Sequence, residues 1–254
     1  MTTNLVRYGP EDTLPIMQVK VPDLAPKVLV VGDPARARRV AERLEDWRLV
    51  GENREYVTFT GQYKGATVSV ASHGVGAAGA AAAFEELCRG GATTIIRVGT
   101  AGGTQPEVLT GHIVVANAAV RLDGLSDRLV PAQWPAVADL DLTLALRDKA
   151  QTSGLTAHVG TVLTVANFYP SPVLPSDTPM WQQAGAVAIE MEVAALLTVA
   201  GLNRVRAGAI VAIDGNPTEE QDESMAGYNP FQEVVAKAVD GAITVGLDAL
   251  VEAA

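Results

Sequence analysis

Apolar residues along this chain gather into short runs separated by glycine, proline and charge, and the spacing within each run predicts the element. Lys27 to Val31 (KVLVV) and Ala207 to Ile213 (AGAIVAI) are apolar without alternation, as strands covered on both faces are. GDPARARRVAERL reads as a turn opening a helix, with Pro34 in its first turn. Tyr56 to Thr60 and Thr67 to Ser72 alternate around Tyr63-Lys64-Gly65, which predicts a hairpin. An Ala-rich helix over 77 to 89 follows, then an apolar strand from Ile95 to Gly99 that runs into a glycine-rich turn ending at Gly103. Ile113 to Ala116 and Ala118 to Val120 continue the sheet, Pro131 to Pro135 is a loop, and Asp139 to Ser153 has helical spacing. Thr156 to Ala166 reads as a strand leading into Asn167-Phe168-Tyr169-Pro170 and a proline-rich loop to Pro179. A short strand over Ala186 to Ile189 precedes a helix from Val193 to Val199, and a helix from Pro230 to Val251 closes the chain. Strands alternate with helices and no repeat or linker divides residues 1 to 254, so the pattern predicts a single α/β domain with a mixed sheet.

Composition narrows the class of function. Hydrophobic residues make up 48% and charged residues 19%, and every apolar run is broken well before the length of a membrane span. The N-terminus MTTNLVRYGPEDT has no apolar core of a signal peptide, and the single cysteine, Cys88, excludes an internal disulfide; both fit a cytoplasmic enzyme. A net charge of −10 without a basic run would repel nucleic acid, although a cationic pocket for a small anion is compatible with it. His73, His112 and His158 lack zinc-site spacing and read as structural, so no metal is expected.

Candidate chemistry collects where strands end. Arg97 is a charge in an apolar strand, a costly placement unless paired, so it is aimed at an anionic ligand or at a carboxylate of the fold. Thr100 adds a hydroxyl, and Gly99, Gly102 and Gly103 allow close approach of backbone N–H groups. Gly32 would expose backbone donors after the first strand, and Arg36 would lie in the first helical turn, where the dipole favours an anion or where the side chain is simply solvated. His73 to Gly79 satisfies G-x-G-x-x-G between a strand and a helix, but the acidic residue a dinucleotide fold needs roughly 20 positions on is missing. Close helix packing with a sugar or anion contact is the preferred reading there; a non-catalytic nucleotide or dinucleotide binder is the reading from a different class. Phe168 and Tyr169 would either stack on a planar ligand or plug the core. In Glu190-Met191-Glu192 the carboxylates suit a helix start, or one of them grips a pair of ribose hydroxyls above an apolar floor from Met191. Asp214, at the end of a buried strand before Gly215-Asn216-Pro217, is the best general-acid candidate, against a turn-forming Asp-Gly.

Taken in order, the segments GDPxR, NREY, SHGVG, RVGTAGG, NAAVRLDG, WPAVAD, FYP, EME and IDGNP resemble the nucleoside phosphorylases of the uridine phosphorylase and hexameric purine nucleoside phosphorylase family over nearly the whole chain. The resemblance implies a distorted mixed β-sheet flanked by helices and a phosphorolytic reaction: nucleoside plus inorganic phosphate gives free base plus ribose 1-phosphate. No cofactor is implied beyond phosphate as co-substrate. Dimers with shared sites, assembled as hexamers, are implied as well. Residue by residue, the match makes Gly32, Arg36, Arg97 and Thr100 phosphate ligands, joined by Arg54 from the neighbouring subunit, so that guanidinium forks converge on one dianion. Glu192 and Met191 hold the ribose, and Tyr8, standing where the family has a histidine, reaches the 5′-hydroxyl across the dimer. Phe168, Ile189 and Glu190 line the base, and Asp214 donates a proton or hydrogen bond to N7, acting with Arg97 as the catalytic pair. Uridine phosphorylases grip uracil with a Gln and an Arg shortly after FYP, where this chain has Pro172 and Leu174. IDGNP, SHGVGAAG and VLPS are instead similar to the apicomplexan-type purine nucleoside phosphorylases. The expectation is therefore a purine nucleoside phosphorylase acting on inosine or guanosine, with uridine phosphorylase the alternative. A hydrolytic nucleosidase of the same fold fits less well, because water needs no cage of arginines.

Overall fold

Lys27–Val31 forms β1 as its pattern requires: Val28 and Val30 join one apolar cluster and Leu29 and Val31 another, so both faces of the strand are covered. The computed structural model describes residues 5–216 and 228–252. After β1 come α1 (Pro34–Ala41), β2 (Glu45–Asn53), β3 (Tyr56–Tyr63), β4 (Ala66–Ser72), α2 (Ala77–Arg89), β5 (Thr94–Gly103) and β6 (Ile113–Leu122). The chain continues through α3 (Ser126–Leu129), β7 (Ala136–Val137), α4 (Leu140–Thr152), β8 (Ala157–Val165), α5 (Thr178–Gln183), β9 (Ala188–Glu190), α6 (Val193–Asn203), β10 (Arg206–Gly215) and α7 (Glu233–Glu252). Pro217 and the acidic stretch through Asp222, within the Gly215 to Gly227 loop, lie outside the described residues.

All strands join one mixed sheet ordered β10-β6-β8-β9-β5-β1-β4-β3-β2, with β7 on β6. Because β10 also pairs with β5, the first five strands close on themselves, and the remainder opens out as a flank. The parallel core β4-β1-β5-β10 places strand carboxyl ends side by side, the edge at which open α/β sheets bind ligands. Helices α2 and α6 pack on one face through the cluster containing Phe84, Leu87, Leu196 and Val199. On the other face α1, α4 and α7 pack through Val40, Leu142, Leu146 and Ile243. The expected mixed sheet flanked by helices is what forms.

Four details differ from the sequence pattern. The glycine-rich turn expected after Gly99 is the second half of β5, whose Gly102 and Gly103 pair with Ile189 and Ala188. Gly103 is required because a Cβ would overlap the Val108 carbonyl. The two pieces around Asn117 are one strand, interrupted by a register shift between Ala116 and Ala118. Strand β2 was not signalled by its sequence: it is an edge strand, pairing only with β3, and exposed along most of its length. Lastly, the proline-rich segment turns helical at Thr178. The hairpin behaves as expected, with Lys64 and Gly65 both at positive φ (49° and 80°), as a tight two-residue turn demands.

Candidate active site

Strand alternation decides where Arg97 goes. Ile95 and Ala101 belong to the cluster under α2 and α6, while Ile96 and Val98 belong to the opposite one, so Arg97 faces the α2–α6 side. Gly99, next on that face, is small for a reason: a Cβ there would overlap the Arg97 guanidinium. Arg97 is 3% exposed. Its Nη2 donates to Oε2 of Glu192 at 2.5 Å and to Oε2 of Glu190 at 3.2 Å, while Nε and Nη1 have no partner among the described residues. One edge of the guanidinium is thus paired with carboxylates of the fold. The other presents two buried donors without an acceptor, a state costing about 1–3 kcal/mol per group that an anion would relieve.

Arg36 supplies a further donor of the same kind, its Nε being buried and unpartnered. Burial, and then the positive charge of Arg97, push its pKa down, which places two guanidinium groups within each other's field. The backbone of α1 starts where it does because Asp33 caps it, accepting from Ala35 N at 2.9 Å and Arg36 N at 3.2 Å. Gly32 lies just before this cap, and its carbonyl accepts from Gly74 N at 2.9 Å, tying the ends of β1 and β4 together. Arg54 is exposed at the turn joining β2 to β3, at φ 54°.

The two carboxylates flanking Met191 divide the roles the sequence left open. Glu190 caps α6, and both its oxygens are occupied by fold donors: Thr164 Oγ1 at 2.5 Å and Val193 N at 3.0 Å on Oε1, with Glu192 N at 2.8 Å on Oε2. The acceptor positions of this carboxylate, expected to line the base, are taken up by Thr164, the helix start and Arg97. Glu192 stands at the N-cap of α6 and accepts Gly76 N on Oε1 at 2.5 Å. Gly76, at φ 91°, belongs to the G-x-G-x-x-G motif, and its backbone N–H holds this carboxylate. Burial, reinforced by the like charge of Glu190 and opposed by Arg97, pushes the Glu192 pKa up. Ile189 and Met191 are half-buried beside the two carboxylates.

Asp214 falls in a register shift of β10 between Ile213 and Gly215, the geometry of a bulge that re-aims a side chain. It is 6% exposed, and burial raises its pKa against hydrogen bonds from Tyr228 and Thr100 and the charge of Arg36. The Thr100 hydroxyl thus reaches Asp214. Tyr228, which no sequence pattern singled out, donates its hydroxyl to Oδ2 of Asp214 at 2.8 Å, and its ring packs edge-on against Phe168 with centroids 5.6 Å apart. Phe168 itself is 46% exposed, so it is a surface ring and not a core plug. His73, read as structural, lies wholly buried between Phe84 and the arginines. Its Nδ1 hydrogen-bonds the Gly74 carbonyl at 2.9 Å, leaving Nε2 an unpartnered acceptor, and burial together with Arg97 and Arg36 holds its pKa well below the ordinary value.

Tyr8, expected to serve the site across the dimer, lies away from the site of its own subunit. Its N–H bonds to the Arg89 carbonyl at the far end of α2, roughly 18 Å along that helix from Gly76 by the helical rise, so it does not reach Glu192 of its own subunit. Among the described residues no group of His, Cys, Asp and Glu is arranged to hold a metal ion, and no helix is long and apolar enough to cross a membrane.

Residues 26–252 match the model of the phosphorylase superfamily. The chain belongs to that family. On that membership the protein is an enzyme, a pentosyltransferase of the nucleoside phosphorylase kind. Relatives divide by substrate name. The uridine phosphorylase of Treponema pallidum is 39% identical over 209 residues, covering 79% of this chain and 81% of its own. The purine nucleoside phosphorylase of Plasmodium falciparum is 37% identical over 202 residues, covering 79% and 82%. The crystal structure of the Toxoplasma gondii purine nucleoside phosphorylase in complex with immucillin-H superposes with a TM-score of 0.90 at 32% identity, covering 97% of this phosphorylase and 98% of the other chain.

Proposed function

We propose that this phosphorylase cleaves purine nucleosides, inosine and guanosine foremost, with phosphate as the nucleophile. The observation that carries purine over uridine is Asp214: a carboxyl group buried at a strand bulge, held toward its neutral form, and linked through Tyr228 to the exposed ring of Phe168. A purine anion leaves poorly, and a proton delivered to its five-membered ring is the assistance such a carboxyl can give. Where uridine phosphorylases place a Gln and an Arg, Pro172 and Leu174 offer no polar edge for uracil.

In this reading Arg36, Arg97, Thr100 and the Gly32 backbone hold phosphate, with Arg54 of a neighbouring subunit completing the cage in a dimer, itself part of a hexamer. Glu192 binds the ribose diol over Met191, Tyr8 reaches the 5′-hydroxyl of the neighbouring site, and Phe168 and Ile189 cover the base. As the glycosidic bond breaks, positive charge on the sugar is stabilised by Glu192 and by the bound phosphate, which is already placed for attack. Uridine phosphorylase is the second reading, favoured by the similarity to the Treponema pallidum enzyme. Base release from inosine, guanosine, adenosine and uridine, compared side by side in phosphate buffer, tests the proposal. Turnover of the 6-oxopurine nucleosides is expected, and turnover of uridine alone would overturn it.

A further inference from the structure

Arg97 is gripped by two carboxylates whose own bonding differs. Glu190 is 5% exposed, and its oxygens take hydrogen bonds from Thr164 Oγ1, Glu192 N, Val193 N and Arg97 Nη2. All but the last come from main chain at the start of α6 or from a buried residue of β8, so this carboxylate cannot turn without opening the helix start. Among the described residues Glu192 is held by two donors, Gly76 N and Arg97 Nη2, and keeps lone pairs for another ligand. The inference rests on the reading above, in which Glu192 serves the ribose and Arg97 the phosphate. A sugar diol that takes up Glu192 shares the acceptor now holding Nη2, while the bond to Glu190 is untouched.

We propose that Glu190 is a positioning residue: it keeps the Nε and Nη1 edge of Arg97 aimed at phosphate while Glu192 engages the ribose, and so couples the two subsites. The coupling is a difference between two binding free energies, and it is reciprocal. Without Glu190, the free enzyme still has Glu192 to orient Arg97. The nucleoside-loaded enzyme has nothing equivalent.

The test is phosphate binding to the full-length enzyme by calorimetry, alone and with a saturating C-nucleoside whose glycosidic bond phosphate cannot cleave. In Glu190→Gln the phosphate Kd of the nucleoside-loaded enzyme should rise roughly tenfold or more, the scale of one charge-assisted hydrogen bond, and that of the free enzyme by less than about threefold. Thr164→Val, which removes one support of Glu190 but keeps every charge, should move both values in the same directions by smaller factors. Equal loss in the two states would overturn the proposal, as would weaker C-nucleoside binding with phosphate binding unchanged, which would mark Glu190 as a base contact. Arg97→Met serves as the control on the underlying reading: unchanged phosphate affinity there would remove Arg97 from the phosphate site, and the role of Glu190 with it.

Discussion

Nη2 of Arg97 lies 2.5 Å from Oε2 of Glu192, with both side chains buried, so the groups proposed to meet phosphate and ribose form one hydrogen-bonded unit. Removing the cation leaves Glu190 and Glu192 as uncompensated buried charges. Arg97→Met should therefore lower stability by about 3–5 kcal/mol as well as abolish phosphorolysis. Arg97→Lys keeps the charge but not the fork, and should fold near-normally with a phosphate KM raised roughly tenfold to a hundredfold. Urea unfolding and phosphate saturation curves check the pair. Wild-type stability in Arg97→Met would contradict the ion-pair account.

Asp214 is assigned the proton that a purine needs in order to leave. Asp214→Asn should lower kcat on inosine by about 10²-fold to 10⁴-fold and largely spare a nucleoside whose base leaves without protonation. An equal loss on both substrates would take Asp214 out of the acid role.

The same carboxyl sets a pH limb with a definite sign. Burial raises its pKa, so it acts as an acid at low pH and loses that ability as pH rises through the raised value. Tyr228 donates to the charged form and opposes the rise. Tyr228→Phe should therefore raise the pKa further and carry the alkaline limb of kcat to higher pH. A limb displaced downward would show that the phenol does not act on Asp214.

His73 predicts a stability effect separate from catalysis. Its folded pKa is held well below the ordinary 6.5, whereas the unfolded chain takes up a proton near that value. The unfolded state therefore binds more protons between the two, and stability present above pH about 6.5 is lost as pH falls below it. In His73→Phe the drop in Tm between pH 7.5 and 5.5 should shrink. An unchanged drop would place the acid sensitivity elsewhere.

Much of this arrangement was legible in the sequence because local signals and tertiary needs agreed. β1 and β10 read as doubly covered strands, and Lys64-Gly65 as a hairpin turn, from side-chain pattern alone. β2 did not, since Glu45, Asp46 and Arg48 are what an exposed edge strand carries, and nothing local separates it from a loop. Within the site, Arg97 was marked by its cost but not by its partner. Whether it met a ligand or a carboxylate depended on where β9 lay against β5, a non-local pairing. The same applies to Glu190 and Glu192, adjacent in sequence and alike in chemistry, which are told apart only by Thr164 and Gly76 from other elements. Tyr228 carries no motif and reaches Asp214 from beyond the Gly215 to Gly227 loop.

The central claim is that phosphate, held by Arg36 and Arg97, attacks a purine nucleoside. Phosphorus NMR of the enzyme with inosine and inorganic phosphate tests it most directly. The account predicts growth of a sugar 1-phosphate resonance in step with hypoxanthine release, with no release when phosphate is omitted. Hypoxanthine appearing with free ribose and an unchanged phosphate signal would contradict it.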